Sequence, residues 1–187
     1  KSENRNIHFT VTVGDKIMRL DSVADCKAYY IGGERRYELS DPAWGKGSIE
    51  MTVVATYDRE GAIWKVVAKN MPKGSELTAN TCSTVKVKLN RSGDIGADPG
   101  NAFAPVASRD NLRQASVKIG GKSATAYIEY FDRDVTADKQ KAIAAAYDKA
   151  QAQRKEIADH LVIDTPDPYF NTLGSAIMAA ADGIWDG

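Results

Sequence analysis

Residues 48–69 carry the pattern that most limits what this chain can fold into. Apolar side chains occupy alternate positions in the first half of this segment: Ile49, Met51, Val53, Ala55 and Tyr57. Such alternation puts them on one face of a β-strand. Residues 58–61 predict a turn, and residues 62–68 predict a returning strand that is apolar on both faces apart from Lys65. We expect this returning strand to lie in the middle of a sheet.

Similar short strands, separated by turn residues, recur over the first two thirds of the chain. Their predicted ranges are 7–13, 16–20, 28–31, 35–39, 77–82, 84–89, 116–119 and 123–131. Glycine pairs at 32–33 and 120–121 predict tight hairpins between the strands that flank them. Residues 90–113 are polar and turn-rich, and a loop of that length is either functional or mobile. We therefore predict a mainly β fold, an antiparallel β-sandwich over residues 1–134.

The pattern becomes helical after the sandwich. Residues 136–161 contain no glycine or proline, and Thr136 is a plausible N-cap, so we predict a linker helix within 135–165. Asp167 and Pro168 predict a sharp start for a second helix, since proline is well tolerated at the first helical position. Its apolar stripe contains Phe170, Leu173, Ile177, Ala181 and Ile184. No partner helix follows, so we expect that the stripe packs against a part of the protein that has been cut away.

Charge and composition argue against several classes of function. The 25 acidic and 25 basic residues balance, so we expect no nucleic-acid partner. The uncharged segment 168–181 is too short to span a bilayer, so we expect no membrane span. His8 and His160 have no companions at ligand spacing, and neither a metal site nor a cofactor is predicted. The chain begins at Lys1 without an initiator methionine, which suggests a mature or trimmed product.

The two cysteines allow two interpretations. Cys26 and Cys82 could form a disulfide across a long loop in an oxidising compartment, or both could be buried free thiols. Each lies in a strand-like segment, and one pair is not a disulfide framework. The free thiols are the favoured interpretation.

Two loops resemble ligand-binding motifs only superficially. Residues 121–123, Gly-Lys-Ser, match the end of a phosphate-binding loop, but position 116 is serine where the motif needs glycine, and no helix follows. Asp94 and Asp98 lie in a glycine-rich loop, without the alternating ligands and closing glutamate of a calcium loop. A hairpin turn and a structural turn are the favoured interpretations.

The sequence contains residue types that hydrolases use, but no motif that arranges them for catalysis. No Gly-x-Ser-x-Gly elbow occurs. Acidic candidates for glycoside hydrolysis are Asp132, Asp134, Asp182 and Asp186, each of which we favour as a solvated or capping residue. Among the tryptophans, which can stack on sugar rings, we expect Trp64 in the core and Trp44 exposed in a turn.

Two segments near the end of the chain carry a family resemblance. Residues 165–176 read Thr-Pro-Asp-Pro-Tyr-Phe-Asn-Thr-Leu-Gly-Ser-Ala, and residues 179–187 read Ala-Ala-Ala-Asp-Gly-Ile-Trp-Asp-Gly. They resemble the opening of the helical barrel in an uncharacterised six-hairpin glycosidase-like family of gut bacteria. Residues 60–66 and 93–99 are similar to the sandwich of that family.

The resemblance implies an N-terminal supersandwich, a linker helix and a truncated (α/α)6 barrel whose first helix is residues 166–187. It places Asp182, Trp185 and Asp186 near the face of the barrel that binds substrate, with the general acid and base beyond Gly187. The implied function is the non-catalytic N-terminal part of a glycoside hydrolase acting on polysaccharide or oligosaccharide in the bacterial periplasm or cell envelope. Its implied partners are a carbohydrate and the missing helical barrel of the same polypeptide, and the fragment itself is expected to be inactive.

Two other functions stay open from the sequence. One is a stand-alone carbohydrate-binding β-sandwich in which an exposed aromatic residue such as Trp44 contacts the glycan. The other is a structural domain without a ligand, which would bury the Phe170 stripe in a dimer.

Overall fold

The computed structural model describes residues 6–84, 90–91, 95–96, 105–106 and 113–184. These residues form the strands β1 (Asn6–Val13), β2 (Lys16–Arg19), β3 (Asp25–Ile31), β4 (Glu34–Ser40), β5 (Ser48–Ala55), β6 (Gly61–Met71), β7 (Glu76–Thr84), β8 (Asn90–Arg91), β9 (Ile95–Gly96), β10 (Pro105–Val106), β11 (Gln114–Lys118), β12 (Gly121–Phe131) and β13 (Asp134–Thr136). The helices are α1 (Gln140–Ala158), α2 (Pro168–Asn171) and α3 (Leu173–Ile184), with 3-10 turns at Leu20–Ser22 and Pro42–Trp44.

The strands form two antiparallel sheets that face each other, as predicted. The smaller sheet has the order β2-β1-β7-β11, and β10 pairs with the far end of β7. The larger sheet has the order β13-β12-β6-β5-β4-β3, while β8 and β9 pair only with each other among the described strands. Strand β6 lies between β12 and β5, so the prediction of a central strand at 62–68 is confirmed.

The main core lies between the two sheets. Alternate residues of β1, β5, β6, β7 and β12 point into it, and the most buried include Val11, Leu77, Ile49, Val66 and Ile128. Trp64 is buried in the same core, as predicted. The alternation of the sequence therefore corresponds to the inner and outer faces of the sheets.

The predicted hairpin around Gly120 is wrong. Strand β11 pairs with β7 in the smaller sheet, while β12 pairs with β6 in the larger one. The amides of Ile119 and Gly120 donate to the carbonyl of Ser75 at 2.9 and 3.1 Å, and these bonds hold the chain as it crosses between the sheets. A Cβ at Gly120 would lie 2.7 Å from the Pro72 carbonyl oxygen, so only glycine fits there. The sequence predicts a turn here, but it does not show which strand the following segment will pair with.

The predicted exposure of Trp44 is also wrong, because its side chain is 1% exposed and lies in the main core. The Asp41 carboxylate accepts hydrogen bonds from the amides of Ala43 (2.8 Å) and Ala24 (3.0 Å). These bonds stabilise the 3-10 turn that folds the Trp44 ring inward. The indole Nε1 has no hydrogen-bond partner among the described residues.

Helix α1 begins later than predicted and packs on the outer face of the larger sheet. Thr136 is the last residue of β13, and the helix starts at Gln140, after Lys139 adopts a left-handed conformation with φ 52°. The Gln140 side chain donates to the carbonyl of Tyr127 at 2.7 Å and accepts from its amide at 2.8 Å, which ties the helix start to β12. This pairing, rather than an N-cap, determines where the helix begins.

A second, smaller core forms beneath α1. Ile143, Tyr147 and Ala150 of the helix pack against Val54 and Ile63 on the outer face of the sheet. Burying a side chain such as Ile143 contributes about 1.5–3 kcal/mol relative to leaving it exposed. The molecule therefore has three layers, two sheets and a helix.

The second helical segment starts where the sequence predicts. The Asp167 carboxylate accepts hydrogen bonds from the amides of Tyr169 (2.8 Å) and Phe170 (3.3 Å), so Asp167 is the N-cap. The segment is interrupted at Thr172, which separates α2 from α3. Within the described part of the chain, no helix has the length and apolar character needed to cross a membrane.

Candidate functional site

Helix α3 meets the turn between β3 and β4, and two glycines make this contact possible. Gly32 and Gly33 have φ values of 45° and 83°, which side-chain-bearing residues rarely adopt. A Cβ on Gly32 would lie 3.1 Å from the Ser175 Cβ, and one on Gly33 would lie 3.4 Å from the Ala179 Cβ. The small residues of α3 therefore face the turn.

A half-buried polar network fixes the same turn to helix α1. The Arg154 guanidinium donates to the Gly32 carbonyl at 2.8 Å and to the Gln151 side chain at 2.7 Å, and it lies 3.9 Å from the Glu34 carboxylate. Gln151 donates to Glu34 at 2.5 Å and to the Tyr147 hydroxyl at 2.8 Å. Charge and hydrogen-bonding capacity are matched within the network, so its role is to position the turn against α1. We refer to the meeting point of the β3–β4 turn, α1 and α3 as the helical junction.

Asp182 extends the helical junction toward the end of β5. The pKa of Tyr57 is raised, mainly by burial and also by the negative charge of Asp182, while the Arg154 charge opposes the shift. Asp182 is therefore within electrostatic range of the Tyr57 hydroxyl. Tyr57 is still 39% exposed, so an aromatic ring and a carboxylate share this part of the surface.

The opposite side of the helical segment forms an exposed apolar surface, which we call the α2–α3 face. It consists of Tyr169, Phe170, Leu173, Ile177 and Ile184. Tyr169 and Ile184 are 86% and 83% exposed, and the other three are each more than two fifths exposed. Within α3, only Gly174 is buried. Clustered apolar side chains of this size commonly mark a surface that binds another protein segment.

The predicted site residues do not come together as one group. Asp182 lies at the helical junction, whereas Trp44 lies in the main core between the sheets and presents no ring to solvent. Trp185 and Asp186 are outside the described residues. Most of the predicted 90–113 loop also lies outside the described residues, and so do residues 85–89 of the strand predicted at 84–89.

Asp132 and Asp134, the other acidic candidates, are surface residues of a tight turn. Asp132 and Arg133 adopt φ values of 47° and 68° between β12 and β13. The Asp134 carboxylate lies 3.9 Å from the Arg113 guanidinium, and both side chains are mostly exposed. The positions of Asp132 and Asp134 agree with the interpretation that they are solvated surface acids.

Sequence reasoning missed Tyr57 as a site residue. It assigned Tyr57 to the alternating face of a strand, but β5 ends at Ala55 and the Tyr57 ring instead reaches the helical junction. The signal that could have identified it is the break in strand character at the Asp58–Gly61 turn.

The structure describes the thiol of one of the two cysteines. Cys26 is a free, exposed thiol on β3, so it is neither disulfide-bonded nor buried. In the part of the chain that the structure describes, no three His, Cys, Asp or Glu side chains cluster closely enough to hold a metal ion. The α2–α3 face can bind an apolar surface, and the helical junction on the other side of the helix offers the Tyr57 ring and the Asp182 carboxylate.

Comparison with known proteins gives one match. A family model described as a domain of unknown function, DUF4450, matches residues 4–166. No curated protein and no solved structure matches the chain.

Proposed function

The chain belongs to the DUF4450 family, and from that starting point we propose that it is the non-catalytic N-terminal part of a glycoside hydrolase. In this proposal the sandwich and α1 support a helical catalytic domain of the same polypeptide, which acts on polysaccharide or oligosaccharide in the bacterial periplasm or cell envelope. The carbohydrate and the helical domain are the proposed partners.

The observation that carries the proposal is the α2–α3 face. An α-helix on a protein surface normally turns its apolar stripe toward the body of the protein. Here Ser175 and Ala179 face the β3–β4 turn, while Phe170 and Ile177 are 52% and 45% exposed. Helix α3 is therefore held by its small residues and offers its large apolar ones to a further layer. An amphipathic helix of a barrel has an apolar stripe that can pack against these large apolar side chains.

The extent of the family match supports the same division of the chain. The match ends at residue 166, and α2 begins at Pro168. The Asp167 N-cap thus lies next to the end of the matched region. A boundary between a sandwich with its linker helix and a helical domain at 165–166 stays a prediction, and the position of this N-cap is consistent with it.

The stand-alone carbohydrate-binding function loses the residue that was named for it. Trp44 is buried in the core and cannot stack on a sugar ring, although other aromatic side chains such as Tyr169 are exposed. The α2–α3 face favours docking of a helical domain, so carbohydrate binding by the chain alone stays the alternative.

The proposal is tested by expressing the coding sequence with its continuation after Gly187 and assaying hydrolysis of a polysaccharide panel. We expect the continuation to encode alternating amphipathic helices, the extended protein to hydrolyse a glycan, and the 187-residue chain to be inactive.

Ile177→Glu places a charge on the α2–α3 face and should sharply lower hydrolysis by the extended protein. Val162→Glu is the matched control, because Val162 is 77% exposed and lies in the connection before α2. Equal activity of the two variants would contradict the proposed docking, as would a continuation without helical pattern. A dimer of the 187-residue chain that Ile177→Glu dissociates would favour the structural-domain alternative instead.

A further inference from the structure

The two sheets differ in width, and the difference leaves a cleft at one side of the sandwich. All seven residues of β3 are exposed, so the smaller sheet does not cover this outermost described strand of the larger sheet. Between the start of β1 and the strands β3 to β6 the structure has a cleft of about 580 Å³. This volume is within the usual range of about 300–1,000 Å³ for small-molecule sites.

The interior of the cleft is apolar and its walls are partly aromatic. Its apolar lining consists of Ile7, Phe9, Leu20, Leu39, Met51, Val53 and Trp64, and Tyr37 adds a phenol ring to the same wall. The rings of Phe9 and Trp64 lie 5.4 Å apart at 60°, a tilted pair that joins the two sheets. Phe9 and Val53 are only half-buried although they belong to the inward-facing set, because none of the described residues fills the space beside them.

Polar groups lie at the rim of the cleft. The Arg19 guanidinium donates to the Asp21 carboxylate at 3.0 and 2.5 Å, so both charges are already paired. His8 lines the cleft as well, and its Nδ1 is buried without a hydrogen-bond partner among the described residues. The free thiol of Cys26 completes this rim.

We propose that this cleft binds a small, uncharged aromatic molecule of one or two rings that carries a single hydroxyl or similar polar group. The rings would lie against Phe9, Trp64 and Met51, and the polar group would remain at the rim of the cleft. The site is separate from the α2–α3 face, and the inference does not rest on the proposed glycoside hydrolase function.

Other ligand classes fit the cleft less well. A sugar would bring several hydroxyl groups against a lining in which apolar side chains outnumber the few hydrogen-bonding ones, such as Tyr37, and each unpaired group is costly to bury. A charged molecule would lose its hydration and find no unpaired counter-ion among the described lining residues, because Arg19 and Asp21 neutralise each other. An uncharged ring compound incurs neither cost.

The test uses 2-naphthol as the probe and isothermal titration calorimetry as the measurement. We expect one molecule to bind per chain with a Kd of about 0.1–1 mM, which is typical of a ligand with so few atoms. Val53→Trp adds a ring inside the cleft and should weaken binding by about tenfold or more. Val67→Trp is the matched control, because Val67 is on the outer face of β6, paired with Glu50 and Thr125, and should leave binding unchanged.

Cys26 provides a local readout of the same binding. Alkylation by iodoacetamide, followed by peptide mapping, reports Cys26 separately from Cys82. Saturating 2-naphthol should slow alkylation of Cys26 by at least about threefold, and an equal concentration of cellobiose should not. If Val53→Trp fails to fold by circular dichroism, Val53→Phe places a smaller ring at the same position.

Three results would overturn the inference. They are the absence of 2-naphthol binding to the native chain, equal binding by Val53→Trp and Val67→Trp, and protection of Cys26 by cellobiose in place of 2-naphthol. None of them bears on the hydrolysis assay, so the two proposals fail independently.

Discussion

Replacing Gly174 with alanine tests whether α3 is docked as the structure shows. A Cβ at this position would overlap the carbonyl oxygen of Leu161 and lie 3.2 Å from its carbonyl carbon and 3.3 Å from the Ile163 Cγ1. Backbone atoms cannot rotate away as a long side chain can. Gly183 is in the same helix, yet a Cβ there has no atom within 4 Å. The two glycines therefore form a matched pair.

The expected effects have opposite signs. Alanine is favoured over glycine inside a helix by about 1 kcal/mol, so Gly183→Ala should slightly stabilise α3, by less than this because it is close to the end of the helix. Gly174→Ala gains the same propensity but creates a clash, and overpacking of this kind costs about 1–3 kcal/mol or more. Because the clash involves the backbone, we expect a net destabilisation of the docked helix by about 1–3 kcal/mol.

Native-state hydrogen exchange of the α3 amides measures this directly. A loss of about 1–3 kcal/mol corresponds to a drop in protection of about 5- to 150-fold. Gly174→Ala should show this drop within α3 and leave the amides of β5 and β6 unchanged, while Gly183→Ala should show none. If the α3 amides are as well protected in Gly174→Ala as in Gly183→Ala, then α3 is not packed against the 161–163 segment. That result would refute the reasoning about the α2–α3 face.

Two further predictions concern titrating groups. Burial, with the Arg19 charge, lowers the pKa of His8 below its ordinary value of 6.5, so the unfolded chain binds more protons than the folded one just below pH 6.5, and stability falls as the pH drops through that range. Urea denaturation at pH 8 and pH 5 should show a smaller loss of stability for His8→Gln than for the native chain, and an equal loss would contradict the burial of this imidazole. Asp182→Asn should lower the pKa of Tyr57 toward 10, because it removes a negative charge that raises that pKa. Ultraviolet difference titration against Tyr57→Phe measures the shift, and an unchanged pKa would mean that Asp182 is not beside Tyr57.

Much of the fold follows from local patterns. Alternation over 48–69 identified β5, β6 and the central position of β6. The Gly32–Gly33 pair identified the turn between β3 and β4. Asp167 and Pro168 identified the start of α2, because an N-cap and a proline at the first helical position act within a single turn of helix.

Less of the candidate site could be predicted in this way. The stripe through Phe170 and Ile177 was visible as a helical pattern, and Asp182 was selected through the family resemblance. The contact between α3 and the β3–β4 turn was not visible, since it joins residues more than 140 positions apart, such as Gly32 and Ser175. Periodicity contains no information about which distant element a helix will meet.

The sequence by itself determined that the chain is an antiparallel β protein followed by two helical segments, because strand alternation and helix capping depend on neighbouring residues. Only the tertiary structure decided that β11 and β12 belong to different sheets, that Trp44 points inward, and that α1 begins at Gln140. It also decided where the cleft lies, because a gap between two sheets depends on their relative widths. Sheet membership and burial are set by contacts between distant residues, and those form only when the whole chain is packed.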